Sequence, residues 1–192
     1  YQHWYSEPHP KPDALATAQY GLPEVNRANL AGASLISGVG CNATAMTLAL
    51  KPLADAGLIK RAICDVKVGS SEAGAEPSAG SHHPVRARTA RTYSASGHRR
   101  LAEVEQNLST SEGAGLNVDA TTTAIDMVRG VLCTAHIDTT EPFETKNLWK
   151  LFRAAYNDEP FVRIVADRQG PNRFPDPRIL VGSNHADVGF AV

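Results

Sequence analysis

The chain has 192 residues, a formal net charge of −1, 42% hydrophobic residues and three cysteines. Near-neutral charge excludes general nucleic-acid binding, which needs a broad excess of Lys and Arg, and no apolar run is long enough to cross a bilayer. The composition also excludes a disordered or collagen-like chain, and a protein of this length buries roughly 70% of its unfolded surface, so a core forms without disulfides or metal.

From the N-terminus, Tyr1 to Leu22 holds Pro8, Pro10 and Pro12 and is predicted to be an irregular approach segment. Leu35, Ile36 and Val39 predict a short strand ending at Gly40. From Asn42 the period changes, and Met46, Leu48, Leu50, Leu53 and Leu58 fit a helix, so Cys41 falls where a strand hands over to a helix N-terminus. Ala62, Cys64, Val66 and Val68 alternate with polar residues as in a half-buried strand, and Ser70 to Ser81, rich in Gly, Ser, Ala and Glu, predicts a loop.

In the second half, Val131, Cys133, Ala135 and Ile137 fall on one face of a strand whose other face is wet. Leu148, Trp149, Phe152, Ala155 and Tyr156 make a helical stripe that Pro160 ends. Phe161 to Val165, Ile179 to Gly182 and Val188 to Val192 read as further strands. This order predicts an α+β fold, a large mixed and mostly antiparallel sheet with helices packed on one face.

Three cysteines at wide spacing, without a CxxC pair, read as free thiols of a reducing compartment, so a cytoplasmic location and no metal site are expected. Cys64 and Cys133 lie on the apolar faces of strands and are expected to be inert. Cys41 follows Gly38-Val39-Gly40, which lets backbone approach a ligand, and it precedes a helix whose unpaired N–H groups favour a thiolate; the residues alone leave a nucleophile and an ordinary surface thiol both open. Among seven histidines His98 is the best partner for it, with Glu103 placed to orient an imidazole. Five of the 13 arginines, Arg86, Arg88, Arg91, Arg99 and Arg100, fall in one stretch that no acidic residue interrupts: a solvated basic loop, or a site for an anionic ligand or an acidic protein surface.

Several motifs in order, Tyr20-Gly-Leu-Pro-Glu24, Gly40-Cys-Asn-Ala-Thr-Ala45, Gly69-Ser-Ser-Glu-Ala-Gly74 and Gly97-His-Arg-Arg100 with Glu103, resemble those of the N-acetyl-γ-glutamyl-phosphate reductase family. Asp126-Met-Val-Arg-Gly130 and Gly182-Ser-Asn184 extend the likeness. The form of these motifs is most similar to the archaeal branch, whose members reduce acyl phosphates of glutamate or 2-aminoadipate carried on a small acidic protein.

The resemblance implies a fold like the C-terminal domain of semialdehyde and glyceraldehyde-3-phosphate dehydrogenases. It implies that Cys41 attacks the acyl phosphate to form a thioester, that hydride from NADPH reduces the thioester to a semialdehyde, and that His98 moves protons around the tetrahedral intermediates. Ser70, Ser71, Arg99 and Glu103 are then the residues expected to face substrate or phosphate. Departures occur where many bacterial members have a second His at the position of Arg100 and Tyr-Pro at Asn42 and Ala43.

No Gly-rich nucleotide loop follows a first strand, and the chain begins at Tyr1 without an initiator Met. Residues 1–192 are therefore expected to be the catalytic and dimerisation domain of a longer protein, with NADP bound mainly by an N-terminal domain outside them. A homo-oligomer, dimer or tetramer, and an acidic amino-group carrier protein docked on the basic stretch are expected partners, with neither nucleic acid nor membrane. A Cys/His hydrolase and a non-catalytic dimerisation module are the competing readings.

Overall fold

A computed structural model of the chain describes residues 2–108, 115–165 and 169–192. In chain order its elements are helices α1 (Gln2–Tyr5) and α2 (Pro12–Thr17), strand β1 (Gln19–Gly21), helix α3 (Pro23–Leu30), strand β2 (Ile36–Gly38), helix α4 (Cys41–Asp55), strand β3 (Ile59–Val68), a 3-10 turn (Ser70–Ala73), helix α5 (His83–Arg86), strand β4 (Ala90–Ser94), helix α6 (Leu101–Leu108), strands β5 (Val118–Ile125) and β6 (Val131–Thr139), helix α7 (Thr145–Tyr156), strand β7 (Val162–Ile164), helix α8 (Pro177–Leu180) and strand β8 (Ala186–Val188). The architecture is α+β. Its principal sheet has the strand order β4-β5-β3-β6, with β5 and β3 parallel and the two outer pairings antiparallel. Two small parallel pairs, β1 with β2 and β7 with β8, stand apart from it.

The alternation in β3 decides which face is buried. Ala62, Cys64, Val66 and Val68 point inward, while Arg61, Ile63, Asp65 and Lys67 point to the open face. Ala120, Thr122 and Ala124 of β5 and the half-buried Val131, Cys133, Ala135 and Ile137 of β6 continue the inner face. Helices α4 and α6 cover it through Ala43, Met46, Leu50, Ala54, Leu101, Val104 and Leu108. Cys64 and Cys133 sit diagonally across β3 and β6 on the inner face. The neighbouring Cys64 thiol, and then burial, raise the Cys133 thiol well above its ordinary value.

A second core lies on the other flank of α4, where Leu48 and Leu53 meet Leu148, Phe152 and Tyr156 of α7 and Val162 and Val188 of the β7-β8 pair. One bond there compensates for a sequence feature. Pro52 sits inside α4 and has no N–H to give to the Leu48 carbonyl one turn earlier. The buried Tyr156 hydroxyl donates to that same carbonyl at 2.6 Å. Tyr156→Phe should therefore cost about 1–3 kcal/mol by leaving a buried acceptor unpaired. In a Pro52→Ala background, where the substituted residue regains an N–H for the helical bond, the same change should cost less. A double-mutant cycle by urea denaturation measures this, and equal costs in both backgrounds would show that the hydroxyl does not stand in for the missing N–H.

Several local expectations need correction. The N-terminal segment, Tyr1 lying outside the described residues, is not irregular: Pro12 opens α2 at a position where its missing N–H does no harm, and Gln19–Gly21 pairs in register with Ile36–Gly38. Ile179 to Gly182 is not a strand. Asp176 caps a helical turn by accepting the Arg178 N–H at 3.0 Å, Pro177 takes the first helical position, and Gly182 turns the chain at φ 83°. The last strand ends at Val188, so residues 189–192 lie beyond it. The Ser70 to Ser81 loop opens with the 3-10 turn.

Candidate active site

The site is built where β2 delivers the chain to α4. Gly40 is the extended residue before the helix (φ −67°, ψ 148°), Cys41 is the first helical residue, and the Thr44 N–H makes the first intrahelical bond to the Gly40 carbonyl at 2.8 Å. The free N–H groups of the first turn and their partial positive charge therefore surround Cys41, as the sequence predicts.

Glu103, on the first turn of α6, holds this junction in place. Its Oε2 accepts the Gly40 N–H at 2.8 Å and the Tyr20 hydroxyl at 2.9 Å, and its Oε1 pairs with the Arg100 guanidinium. The side chain is only 13% exposed. Burial, then Glu103 itself, pushes the Tyr20 hydroxyl far above its ordinary range. The Arg100 guanidinium lies directly over Gly40: a Cβ there would stand 2.7 Å from its Cζ, so any side chain at residue 40 would have to displace that guanidinium. Glu103 thus fastens the nucleophile's loop; no hydrogen bond joins it to His98 among the described residues, though its charge opposes the lowering of that imidazole's pKa.

The thiol itself is not in the state expected of it. Cys41 is exposed as a residue, and its sulfur lies 3.8 Å from the Asn42 Oδ1. Partial burial first, and then Glu72, push the thiol up to about 11, against the opposing pull of the Asn42 backbone and Arg100. The helix N-terminus does not by itself produce a resting thiolate.

His98 is half-buried in the turn that leads into α6, with its ring edge-on to Tyr93 at 6.1 Å. Tyr93 in turn accepts the Asn42 amide at 3.3 Å, which links His98 to the nucleophile's neighbour. No hydrogen bond joins His98 to Cys41 among the described residues. Burial, then Arg99 and Arg100, lower the imidazole's pKa, which keeps it neutral. Its Nδ1 accepts the Arg100 N–H at 3.2 Å. In a neutral ring that fixes the proton on Nε2, the tautomer that donates outward.

The Ser70 and Ser71 loop is fixed from below. The N–H groups of Gly69, Ser70 and Ser71 donate to the carbonyls of Gly130, Met127 and Val128 at 3.0, 2.8 and 2.9 Å, and a Cβ on Gly69 would meet the Val128 carbonyl at 2.9 Å. These N–H groups are therefore unavailable to a phosphate, and the loop offers hydroxyls and the Glu72 carboxylate instead. Arg99 is exposed and stacks on Tyr5 at 5.5 Å.

The basic stretch does not form one surface. Arg86 is buried and donates to the Val68 carbonyl at 2.9 Å, anchoring the end of β3, so it cannot meet a docking protein. Arg91 ties to the Gly80 carbonyl at 3.3 Å, and Arg100 belongs to the site. Arg88 and Arg99 remain exposed. Sequence reasoning missed Glu72, Tyr20 and the separate role of Arg100. Only the Tyr20 and Glu72 motifs signalled them, without a chemical reason attached. Among the described residues no cluster of His, Cys, Asp and Glu could hold a metal ion, and no helix is long and apolar enough to cross a membrane.

Comparison with known proteins gives concordant findings. The family model for the semialdehyde dehydrogenase dimerisation domain matches residues 41–192. A LysW-L-2-aminoadipate/LysW-L-glutamate phosphate reductase of Saccharolobus solfataricus is 46% identical over 194 residues, covering 100% of this chain and 54% of the relative. A relative from Natronomonas pharaonis, provisionally given the same name, is 46% identical over 193 residues, covering 99% of this chain and 54% of its own length. The chain thus spans about half the length of the curated relatives it matches. Among solved structures, an aspartate semialdehyde dehydrogenase from Francisella tularensis superposes with a TM-score of 0.66 at 12% identity, over 90% of this chain and 61% of that one. Aspartate semialdehyde dehydrogenase II from Vibrio cholerae gives a TM-score of 0.63 at 17% identity, over 91% and 58%. At these identities the structures show the shared fold alone.

Proposed function

From its membership of the semialdehyde dehydrogenase dimerisation-domain family, to which this chain belongs, we propose that residues 1–192 are the catalytic and dimerisation domain of a reductase in lysine or arginine biosynthesis. Its substrate is the acyl phosphate of 2-aminoadipate or glutamate, and its product the semialdehyde. The observation that carries this is the placement of Cys41 at the opening of α4, with Gly40 fastened by Glu103 and roofed by Arg100. A sulfur there meets an acyl carbon in front of free N–H groups, which stabilise charge developing on the carbonyl oxygen.

The step this chain's own residues support is acyl transfer. Cys41 displaces phosphate and keeps the acyl group as a thioester. Arg100 uses one guanidinium nitrogen on Glu103, and we assign its other donors, with the Ser70 and Ser71 hydroxyls, to the substrate's phosphate. His98 presents an Nε2–H donor to the tetrahedral oxygen. NADPH, when bound, would supply the reducing hydride chemistry that this domain's own residues lack. The described residues do not fit that cofactor's phosphates, because the one Gly/Ser loop donates its N–H groups to Met127, Val128 and Gly130, so the cofactor is held mainly by chain outside residues 1–192. The names of the relatives favour a carrier-linked substrate over an N-acetylated one, with exposed Arg88 and Arg99 left to steer an acidic carrier. A homo-oligomer and a cytoplasmic setting complete the reading.

The test is to offer the full-length protein three acyl phosphates, LysW-linked 2-aminoadipyl, LysW-linked glutamyl and N-acetylglutamyl, and follow NADPH consumption. Turnover of a carrier-linked substrate with little of the N-acetylated one is expected. Consumption with none of the three, or release of free acid without NADPH, overturns it in favour of a binding module or a hydrolase.

A further inference from the structure

We propose that Arg86 supplies the positive charge of the phosphate subsite, acting through space from beneath the Ser70-Ser71 loop. The inference rests on the acyl-transfer reading above, in which that loop faces the phosphate, and it assigns the subsite's charge to a residue outside the loop.

Arg86 is only 9% exposed, and among the described residues it forms no ion pair with a carboxylate. Its guanidinium donates instead to two backbone carbonyls, Val68 at 2.9 Å and Ile125 at 3.5 Å, and its Nε is buried without a partner. Carbonyls satisfy N–H groups but leave the unit charge in place. A buried cation without a counter-ion is costly, and an anion bound nearby lowers that cost.

The position of that charge follows from the strand ends. Val68 is the last residue of β3 and Ile125 the last of β5. The chain leaves them as the segments 69–73 and 126–130, which are zipped together by the Gly69, Ser70 and Ser71 N–H groups on Gly130, Met127 and Val128. Arg86 therefore underlies both segments, and its Val68 acceptor stands two residues before Ser70.

The loop itself brings no positive charge to a phosphate. Its N–H groups are spent on carbonyls, and Glu72 adds a negative charge beside its hydroxyls. The Arg100 guanidinium is already paired with Glu103, and Arg99 stacks on Tyr5. Arg86 is the buried cation at this end of the sheet, and an enclosed charge acts over several ångströms because solvent and salt screen it poorly. The subsite then favours an anionic leaving group over a neutral one of similar reactivity.

The experiment compares wild-type, Arg86→Gln and Arg86→Lys forms of the full-length protein. Gln keeps an N–H donor for the carbonyls and loses the charge, whereas Lys keeps the charge and gives up the forked donor. Acetylation of Cys41 is followed by peptide mass spectrometry with two acyl donors, anionic acetyl phosphate and neutral p-nitrophenyl acetate, and inorganic phosphate serves as competitor. Arg86→Gln should lower the ratio of the acetyl phosphate rate to the p-nitrophenyl acetate rate about 10-fold. It should raise the half-inhibiting phosphate concentration to a similar degree, while Arg86→Lys holds both close to wild type. An unchanged ratio in Arg86→Gln, or equal losses in the Gln and Lys forms, shows that Arg86 only fastens the strand ends and overturns the proposal. Should Arg86→Gln not fold, Arg86→Lys decides: a ratio near wild type supports the proposal, and one that falls about 10-fold with the charge retained overturns it. Failure of acetyl phosphate to acetylate wild-type Cys41 overturns the acyl-transfer reading itself, a result distinct from any behaviour of the variants.

Discussion

If Cys41 is the nucleophile of the proposed reductase, Cys41→Ala removes that activity by roughly 10⁴-fold or more in the full-length protein, since loss of a covalent nucleophile leaves only the binding and oxyanion contributions. Stability should stay within about 0.5 kcal/mol of the parent, because residue 41 is exposed and its sulfur makes no core contact. Cys41→Ser should be almost as inactive, the hydroxyl being a much poorer nucleophile than the thiol. Cys64→Ala is the contrasting change. It empties a fully buried position on β3, so it should lower the denaturation midpoint while per-molecule activity stays near that of the parent. The pair is read by steady-state turnover and chemical denaturation of the same preparations. Activity retained in Cys41→Ala, or lost in Cys64→Ala without loss of fold, would move the chemistry away from the mouth of α4.

Glu103→Ala has the second largest expected effect, and it acts on both quantities. One change orphans the Gly40 N–H, the Tyr20 hydroxyl and the Arg100 guanidinium. With Glu103 largely enclosed and Arg100 partly open to solvent, which weakens the ion pair, the expected cost is about 2–3 kcal/mol. The loop before Cys41 would also lose the side chain that accepts the Gly40 N–H, and a nucleophile displaced by about 1 Å loses roughly 10²-fold in rate. Glu103→Gln keeps an oxygen for Gly40 but not the charge for Arg100, so it should fall between the two. Tyr20→Phe should be milder still. Denaturation curves and single-turnover acylation distinguish them, and a Glu103→Ala protein with parental acylation rate would show that the carboxylate does not position the sulfur.

What the sequence disclosed and what it hid follow a physical division. The inner faces of β3 and β6 and the stripe of α7 were legible because burial imposes a period on neighbouring residues, and Cys41 was legible because glycines gave way there to helical spacing. The inner face of β5 is Ala120, Thr122 and Ala124, side chains too small to mark a strand, and β4 and α6 were likewise left unassigned. Four residues of α8 carry too few apolar positions to separate a turn of helix from a strand. The basic stretch looked uniform in sequence because composition cannot tell an arginine that plugs a strand end, as Arg86 does, from one that meets solvent. The acidic residues around the Cys41 junction were hidden for a further reason. Glu72 lies in a loop whose small residues have no period, and the Glu103 anchor depends on partners that local spacing does not reach.

That distance has a kinetic consequence. The carboxylate of Glu103 meets Gly40 across 63 residues and Tyr20 across 83, and the hydroxyl that repairs α4 arrives from 108 residues away. Each closure costs chain entropy before any contact rewards it, and such topologies refold slowly. During refolding, backbone order should therefore return before reactivity does, and an excised peptide bearing the Cys41 helix should behave as an ordinary thiol.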